Sequence, residues 1–400
     1  MKYVILVPDG AADLPVERYG GSTPLETART PNMDFLAKEG ISGTAITIPK
    51  GMTAGSDVAN YSILGYDPRQ YYTGRGPLEA VSMGVGLGPE EVAFRCNLVT
   101  EGDGLLLDYS AGHITTGEAR ELIAVLQDKL EDEYTAFYPG VGYRHLLVLK
   151  GLKFLADHCV PPHDVVGRRI EDVQPQGPNA QRLTALMRVS RRLLADHAVN
   201  ASRIERGLQP ANMIWPWGQG RTPDLPTIPE RYGLTGSIIT AVDLIKGLGL
   251  QAGMEVVEVP GATGYYDTDY AAKARYALES LRSVDLAYVH VEAPDEAGHE
   301  GNWEAKVQAL ENFDAKIVGA FLDETIRINE DFGFLLMPDH LTPIEVRTHV
   351  ADPVPFAIYY PHAVPDGGTS FSEKGVTYGS YSGFPAWQLL DLLIERAQRP

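Results

Sequence analysis

Cysteine is nearly absent: Cys96 and Cys159 are the only two in 400 residues. Two thiols cannot build a disulfide framework or a thiolate metal cluster. A reduced, intracellular protein in the cytoplasm is the expectation that follows. Long apolar runs are lacking too. The N-terminal MKYVILVPDGAAD holds an apolar stretch of only about five residues, too short for a signal-peptide core, and nothing approaches the ~20 apolar residues of a membrane helix. Basic charge is in deficit, with 34 Lys and Arg against 53 Asp and Glu and a formal charge of -19. That argues against nonspecific nucleic-acid binding while leaving room for a local basic pocket. An acidic chain suits cation binding, although most of its carboxylates read as solvated surface. No internal repeat and no low-complexity segment interrupts the chain.

The length allows two domains, or one large core with an insertion. A composition 44% hydrophobic, with 41 Gly and 28 Pro, fits a loop-rich α/β protein. YVILVPDG (3–10) is an apolar strand stopped by a turn. TPNMDFLAKEG (30–40) reads as a helix with Thr30 as cap, Pro31 first and Gly40 closing it. Strand, long loop and helix in that order favour a parallel α/β core. VAFRCNLV (92–99) and GLLLD (104–108) suggest a hairpin. A helix capped by Thr116, a strand at 142–151 and a helix over 179–197 follow, which together suggest a small α+β unit. The expected organisation is an α/β core over 1–72 and 211–400, its mostly parallel sheet flanked by helices, with a smaller α+β domain inserted at 73–210. Ligands bind such open sheets at the carboxyl edge of the strands.

Three core strands end in potential metal ligands: Asp9, then Asp295 and His299, then Asp339 and His340, with His349 shortly after. Each has a plainer reading. Asp9 equally well caps a turn, Asp295 and His299 serve as a first-turn acid and a loop histidine, and a lone Asp-His pair arises by chance. Together they make two clusters of oxygen and imidazole ligands suited to borderline divalent ions, and a metal pair about 4 Å apart stabilises a transferring phosphoryl group. Ser56, in GMTAGSDVANYSILGY, reads either as a helix cap or as a hydroxyl nucleophile activated by metal. Asn60 follows one turn later and can face the same group. Fixed positive charge for a phosphate is available from Arg144, Arg203, Arg221 and Lys246, though a surface role is the plainer reading of any one arginine and dipole stabilisation near a possible helix end that of Lys246. His113, in DYSAGHITTG, can carry protons or hold a carboxylate, or be structural.

Over almost its whole length the chain resembles the archaeal-type cofactor-independent phosphoglycerate mutases of the alkaline phosphatase superfamily. The resemblance is carried by VPDGAAD, TPNMDFLAKEG, TAGSDVANYSILGYDP, YTGRGPLEA, DYSAGHI, GYRHLLVLKG, PANMIWPWGQGR, AVDLIKGLG, HVEAPDEAGHEG and MPDH. It implies an alkaline-phosphatase-like core with the inserted domain folding over the cleft, and interconversion of 2- and 3-phosphoglycerate without free 2,3-bisphosphoglycerate. It makes Ser56 the phosphorylated nucleophile. Asp9, Ser56, Asp339 and His340 resemble one metal site, and Asp295, His299 and His349 the other. His113, Arg144, Arg203 and Arg221 resemble substrate contacts and Lys246 a phosphate lysine. Mn2+ leads the expected metals, ahead of Zn2+, Co2+ and Mg2+.

Other activities compete on the same residues. A homoserine kinase would need a nucleotide donor, and no GxxxxGK[ST] loop is present. A phosphomonoesterase would use the same serine and fail to exclude water. A noncatalytic metal-stabilised protein has no need of seven intact ligand positions. The expected partner is a small phosphorylated acid, with no nucleic acid and no membrane, and the 20 tyrosines leave a homo-oligomer open.

Overall fold

The computed structural model describes residues 1–151, 158–328 and 330–398. It divides into two compact units, Met1–Tyr72 with Asp224–Pro400, and Thr73–Pro223. Chain order begins with β1 (Lys2–Pro8) and β2 (Ile41–Ile46) in the first unit. The second unit holds β3 (Glu91–Gly102), β4 (Leu105–Asp108), β5 (Thr135–Tyr138), β6 (Arg144–Lys150) and β7 (Met213–Gly220). The first unit then resumes with β8 (Gly236–Ile239), β9 (Glu255–Val256), β10 (Leu286–Val291), β11 (Phe332–Leu336), β12 (Val354–Tyr359) and β13 (Tyr381–Pro385).

The first unit is built on an eight-stranded sheet in the order β13-β2-β12-β11-β1-β10-β8-β9. Its centre is parallel: β1 pairs in parallel with β10 and β11, and β8 with β10 and β9. Val4 to Val7 and all of β10 are buried, the unbroken pattern of strands covered on both faces by helices. The mostly parallel α/β core expected from the sequence is therefore present. β12 departs from it, running antiparallel to β11 and β2. No helix lies between β11 and β12, and without a crossover element the chain turns back on itself.

In the second unit the long β3 pairs antiparallel with β6, β7 and β4. β7 places this unit's end at Pro223, past the expected return at residue 211. Its prolines and glycines read as loop, yet among the described residues β7 pairs with β3 alone, and an edge strand tolerates proline. Thr115, not Thr116, caps the helix Thr116–Leu130, in a reciprocal capping box with Glu118. Thr30 holds the N-cap position of Pro31–Glu39 but makes no capping bond. No helix among the described residues is long and apolar enough to cross a membrane.

His145 on β6 gives the second unit a pH dependence. It is 1% exposed, and its Nδ1 accepts the Gly140 N–H at 3.0 Å, which requires a neutral ring. Burial first, then Arg95, pushes its pKa down to about 3. An unfolded histidine titrates near ~6.5, so the unfolded chain takes up the proton first as the pH falls. The contribution is fully present above about pH 6.5 and is lost toward about pH 3. Urea midpoints measured from about pH 7 to about pH 4 should fall more steeply in wild type than in His145→Gln. Parallel pH profiles in the two proteins would refute this.

Candidate active site

The parallel strands at the sheet centre deliver the site. β1 leads directly into Asp9. β10 runs through Glu292 into the helix Ala293–Glu300, which carries Asp295 and His299. β11 is followed by Asp339 and His340, and His349 comes in the segment before β12. β1 lies between β10 and β11, so these three strand ends are neighbours. Ser56 is the first residue of the helix Ser56–Ile63, with Gly55 at the N-cap. Its side chain therefore stands at the positive end of a helix rather than capping one.

Two ligand clusters result. Asp9, Asp339 and His340 are all buried, and Asp295, His299 and His349 include two half-buried rings; within each group the ligating atoms all lie within 4.8 Å of one another. Hydrogen bonds define the neutral imidazole tautomers. The Thr342 hydroxyl donates its single proton to the Asp295 carboxylate. His340 Nδ1, 3.2 Å from the same hydroxyl, is then the donor, and Nε2 keeps its lone pair. That Nε2 faces Ser56 Oγ at 3.0 Å, Asp339 Oδ2 at 3.3 Å and Asp9 Oδ1 at 3.6 Å. His299 Nδ1 lies 3.1 Å from the Arg347 carbonyl oxygen, which only accepts. Its Nε2 lone pair therefore faces Asp295 Oδ2 at 3.2 Å and His349 Nε2 at 3.0 Å.

Converging lone pairs repel unless a cation sits among them, and the electrostatics carry that signature. Asp9 Oδ1 is buried with no hydrogen-bond partner. Burial, then the Asp339 carboxylate, holds Asp9 well above the ordinary carboxylate range. At Asp295 burial pushes upward, but His299 and His349 outweigh it and hold the group well below that range. In the protonated ring Nε2–H bonds Asp295 instead, which pushes His299 up to about 9, and a bound ion would take that proton's place. The orphaned Asp9 oxygen and the mixed carboxylate-imidazole donors, with the His340 and His299 rings oriented through their other nitrogens, fit a divalent ion at each cluster.

Other predicted residues are placed differently. Asn60 is fully buried, and its Nδ2 donates to the Ser56 carbonyl at 2.7 Å and to Asp339 Oδ2 at 3.0 Å, while its Oδ1 accepts from the Tyr288 hydroxyl. Both ends of the amide are engaged inside the fold, so Asn60 holds Asp339 rather than a ligand. Lys246 lies in the first half of the helix Asp243–Gln251, away from the helix end where the sequence reading set it, and pairs with Glu258 at 2.8 Å.

Four more lie in the second unit. His113 ends a run of three left-handed residues, with φ of 49° at Ala111, 61° at Gly112 and 51° at His113. Asp108 holds this turn by accepting the N–H groups of Ser110 and Gly112. A non-glycine residue there is strained, a common mark of functional loops. The Tyr143 ring contacts both His113 (ring centroids 6.3 Å apart) and the Arg144 guanidinium (6.0 Å), so the two side chains share one aromatic neighbour. Arg221 is half-buried just after β7. Arg203 corrects an expectation: it is 2% exposed, and it donates to Gln209 O, Glu118 and Ala111 O. Its guanidinium braces the left-handed turn from within and is not presented to a ligand.

His290, Lys273 and Thr342 were not legible as site residues. His290 Nε2 lies 3.1 Å from Asp9 Oδ2, and burial pushes its pKa down to about 4. Fully buried Lys273 donates to the His290 carbonyl at 3.0 Å. A histidine inside an otherwise apolar parallel strand was the available signal for His290.

Comparison with known proteins identifies the family. A family model described as 2,3-bisphosphoglycerate-independent phosphoglycerate mutase matches residues 37–200. Proteins of that name from Methanothrix thermoacetophila and Methanosarcina acetivorans are 52% and 50% identical, covering 98% and 99% of this chain and all of their own lengths. Among solved structures, a Pyrococcus horikoshii protein aligns with a TM-score of 0.83 at 28% identity, covering 100% of this chain and 98% of its own. The cofactor-independent phosphoglycerate mutase of Thermoplasma acidophilum aligns at 0.65 and 27% identity, covering 99% of this chain and 100% of its own. With half of its residues identical over nearly its full length, the chain belongs to the family of 2,3-bisphosphoglycerate-independent phosphoglycerate mutases.

Proposed function

We propose that this chain interconverts 2-phosphoglycerate and 3-phosphoglycerate through a phosphoserine on Ser56, with no bisphosphoglycerate cofactor. The observation that carries the reading is the Ser56 hydroxyl at a helix N-terminus, 3.0 Å from His340 Nε2 and beside the buried carboxylates of Asp9 and Asp339. Two divalent ions, Mn2+ the best match, would be held by Asp9, Ser56, Asp339 and His340 and by Asp295, His299 and His349, lowering the serine pKa and stabilising phosphoryl charge.

Ser56 Oγ attacks the phosphoryl group, the bond to the glycerate oxygen breaks, and that oxygen takes a proton. The N-terminus of the helix Ser56–Ile63 favours the phosphate's negative charge. The retained glycerate turns, its other hydroxyl attacks the phosphoserine, and Ser56 is regenerated. Lys246, whose partner Glu258 is largely exposed, is the proposed phosphate lysine. His113, Arg144 and Arg221 are the proposed holders of glycerate, with His113 carrying protons. Positioning and electrostatics supply the catalysis, and water must be excluded because hydrolysis of the phosphoserine would yield a phosphatase.

Incubation with 3-phosphoglycerate, following 2-phosphoglycerate and free phosphate together, tests this. Isomerisation should proceed with little phosphate release, stop on chelation, and return with Mn2+ or Co2+. Rapid phosphate release without isomerisation would overturn the reading.

A further inference from the structure

Building on the two-ion reading above, we propose that the Thr342 hydroxyl is the positioning group that couples the two ligand clusters. Thr342 is fully buried, two residues beyond His340. Its Oγ1 touches one ligand from each cluster, donating to Asp295 and receiving Nδ1–H of His340 at 3.2 Å. The first bond occupies one face of the Asp295 carboxylate while Oδ2 faces His299. The second leaves the His340 Nε2 lone pair facing Asp9, Asp339 and Ser56.

The surrounding backbone makes room for this contact. Gly10, at φ +60°, passes so close that a Cβ there would come within 2.6 Å of Thr342 Oγ1 and 2.5 Å of Asp295 Oδ1. A Cβ on Gly298 would meet the Thr342 carbonyl oxygen at 2.3 Å. That carbonyl also accepts from Lys306 Nζ at 2.9 Å, so the residue is fixed from both sides. A single hydroxyl shared between the clusters makes their orientations interdependent: an ion that sets Asp295 also sets the His340 ring.

Thr342→Val keeps the branched shape and removes the hydroxyl. Equilibrium dialysis of the metal-stripped full chain against Mn2+ should show two sites in wild type. The variant should lose ~10–100-fold in affinity at both of them, the usual cost of removing a partner behind a metal ligand. Thr342→Ser should recover most of that loss, which a packing defect would not allow. Circular dichroism of the metal-free variants checks the fold, and Thr342→Ala serves if the valine variant is misfolded. Wild-type affinities in the hydroxyl-free variant, or a loss confined to one cluster, would overturn the coupling while leaving the two-ion reading intact. Fewer than two ions bound by wild type would overturn both.

Discussion

Ser56→Ala should abolish conversion of 3-phosphoglycerate, a loss of at least about 10⁴-fold in kcat, while leaving the protein folded. The two halves of that expectation have separate causes. The catalytic half follows from Ser56 Oγ being the atom proposed to carry the phosphoryl group between two glycerate oxygens. Alanine offers no oxygen, and the remaining groups can bind substrate without forming the intermediate. The structural half follows from what the side chain does not do. Ser56 makes no capping bond, since Gly55 holds the N-cap, and the side-chain contact of its hydroxyl is the 3.0 Å approach to His340. Alanine is a good helix residue, so stability should change by no more than about 0.5 kcal/mol. A coupled assay for 2-phosphoglycerate with a parallel thermal melt reads both. Activity above about one hundredth of wild type in a folded variant would remove Ser56 from its proposed role.

Lys306→Met should be severely destabilising, lowering the unfolding free energy by about 3–5 kcal/mol. The ammonium is fully buried and donates to Asp13 Oδ2 at 2.8 Å, Thr342 O at 2.9 Å and Ala12 O at 3.2 Å. Asp13 also accepts from the Ile344 N–H. The pair thus ties the turn after β1 to the loop after β11, the segments that carry Asp9 and His340. Burial depresses the lysine pKa, with Asp13 pulling the other way. Methionine fills the space but leaves Asp13 as an uncompensated buried charge and the Thr342 carbonyl without its Lys306 donor. Urea unfolding of the metal-free protein measures the loss, and the double variant Lys306→Met/Asp13→Asn should recover part of it because the stranded charge is gone. A single variant within about 1 kcal/mol of wild type would show that the pair contributes little.

The residues differ in how openly the sequence announced them. Asp9, Asp295, His299, Asp339, His340 and His349 were legible because they follow apolar strands, and parallel strands deliver their ends to one edge. Asn60 and Arg203 looked like ligand-facing polar groups and are not. Asn60 meets Asp339 279 positions away, and Arg203 meets the Ala111 carbonyl 92 positions away. Local periodicity does not report contacts at that separation. The end of the second unit was misplaced for a related reason, since the composition of β7 reads as loop until β3 lies beside it.

The sequence by itself determined the apolar strands, the polar residues that terminate them, and the chemical types available at the site. Those properties are set by side-chain hydrophobicity and backbone preference within a few residues. Only the tertiary structure decided which nitrogen of His340 keeps its lone pair, that Thr342 joins the two clusters, and that Arg203 is a brace. Each depends on a hydrogen-bond partner, and a buried polar group takes its role from whatever the fold packs against it.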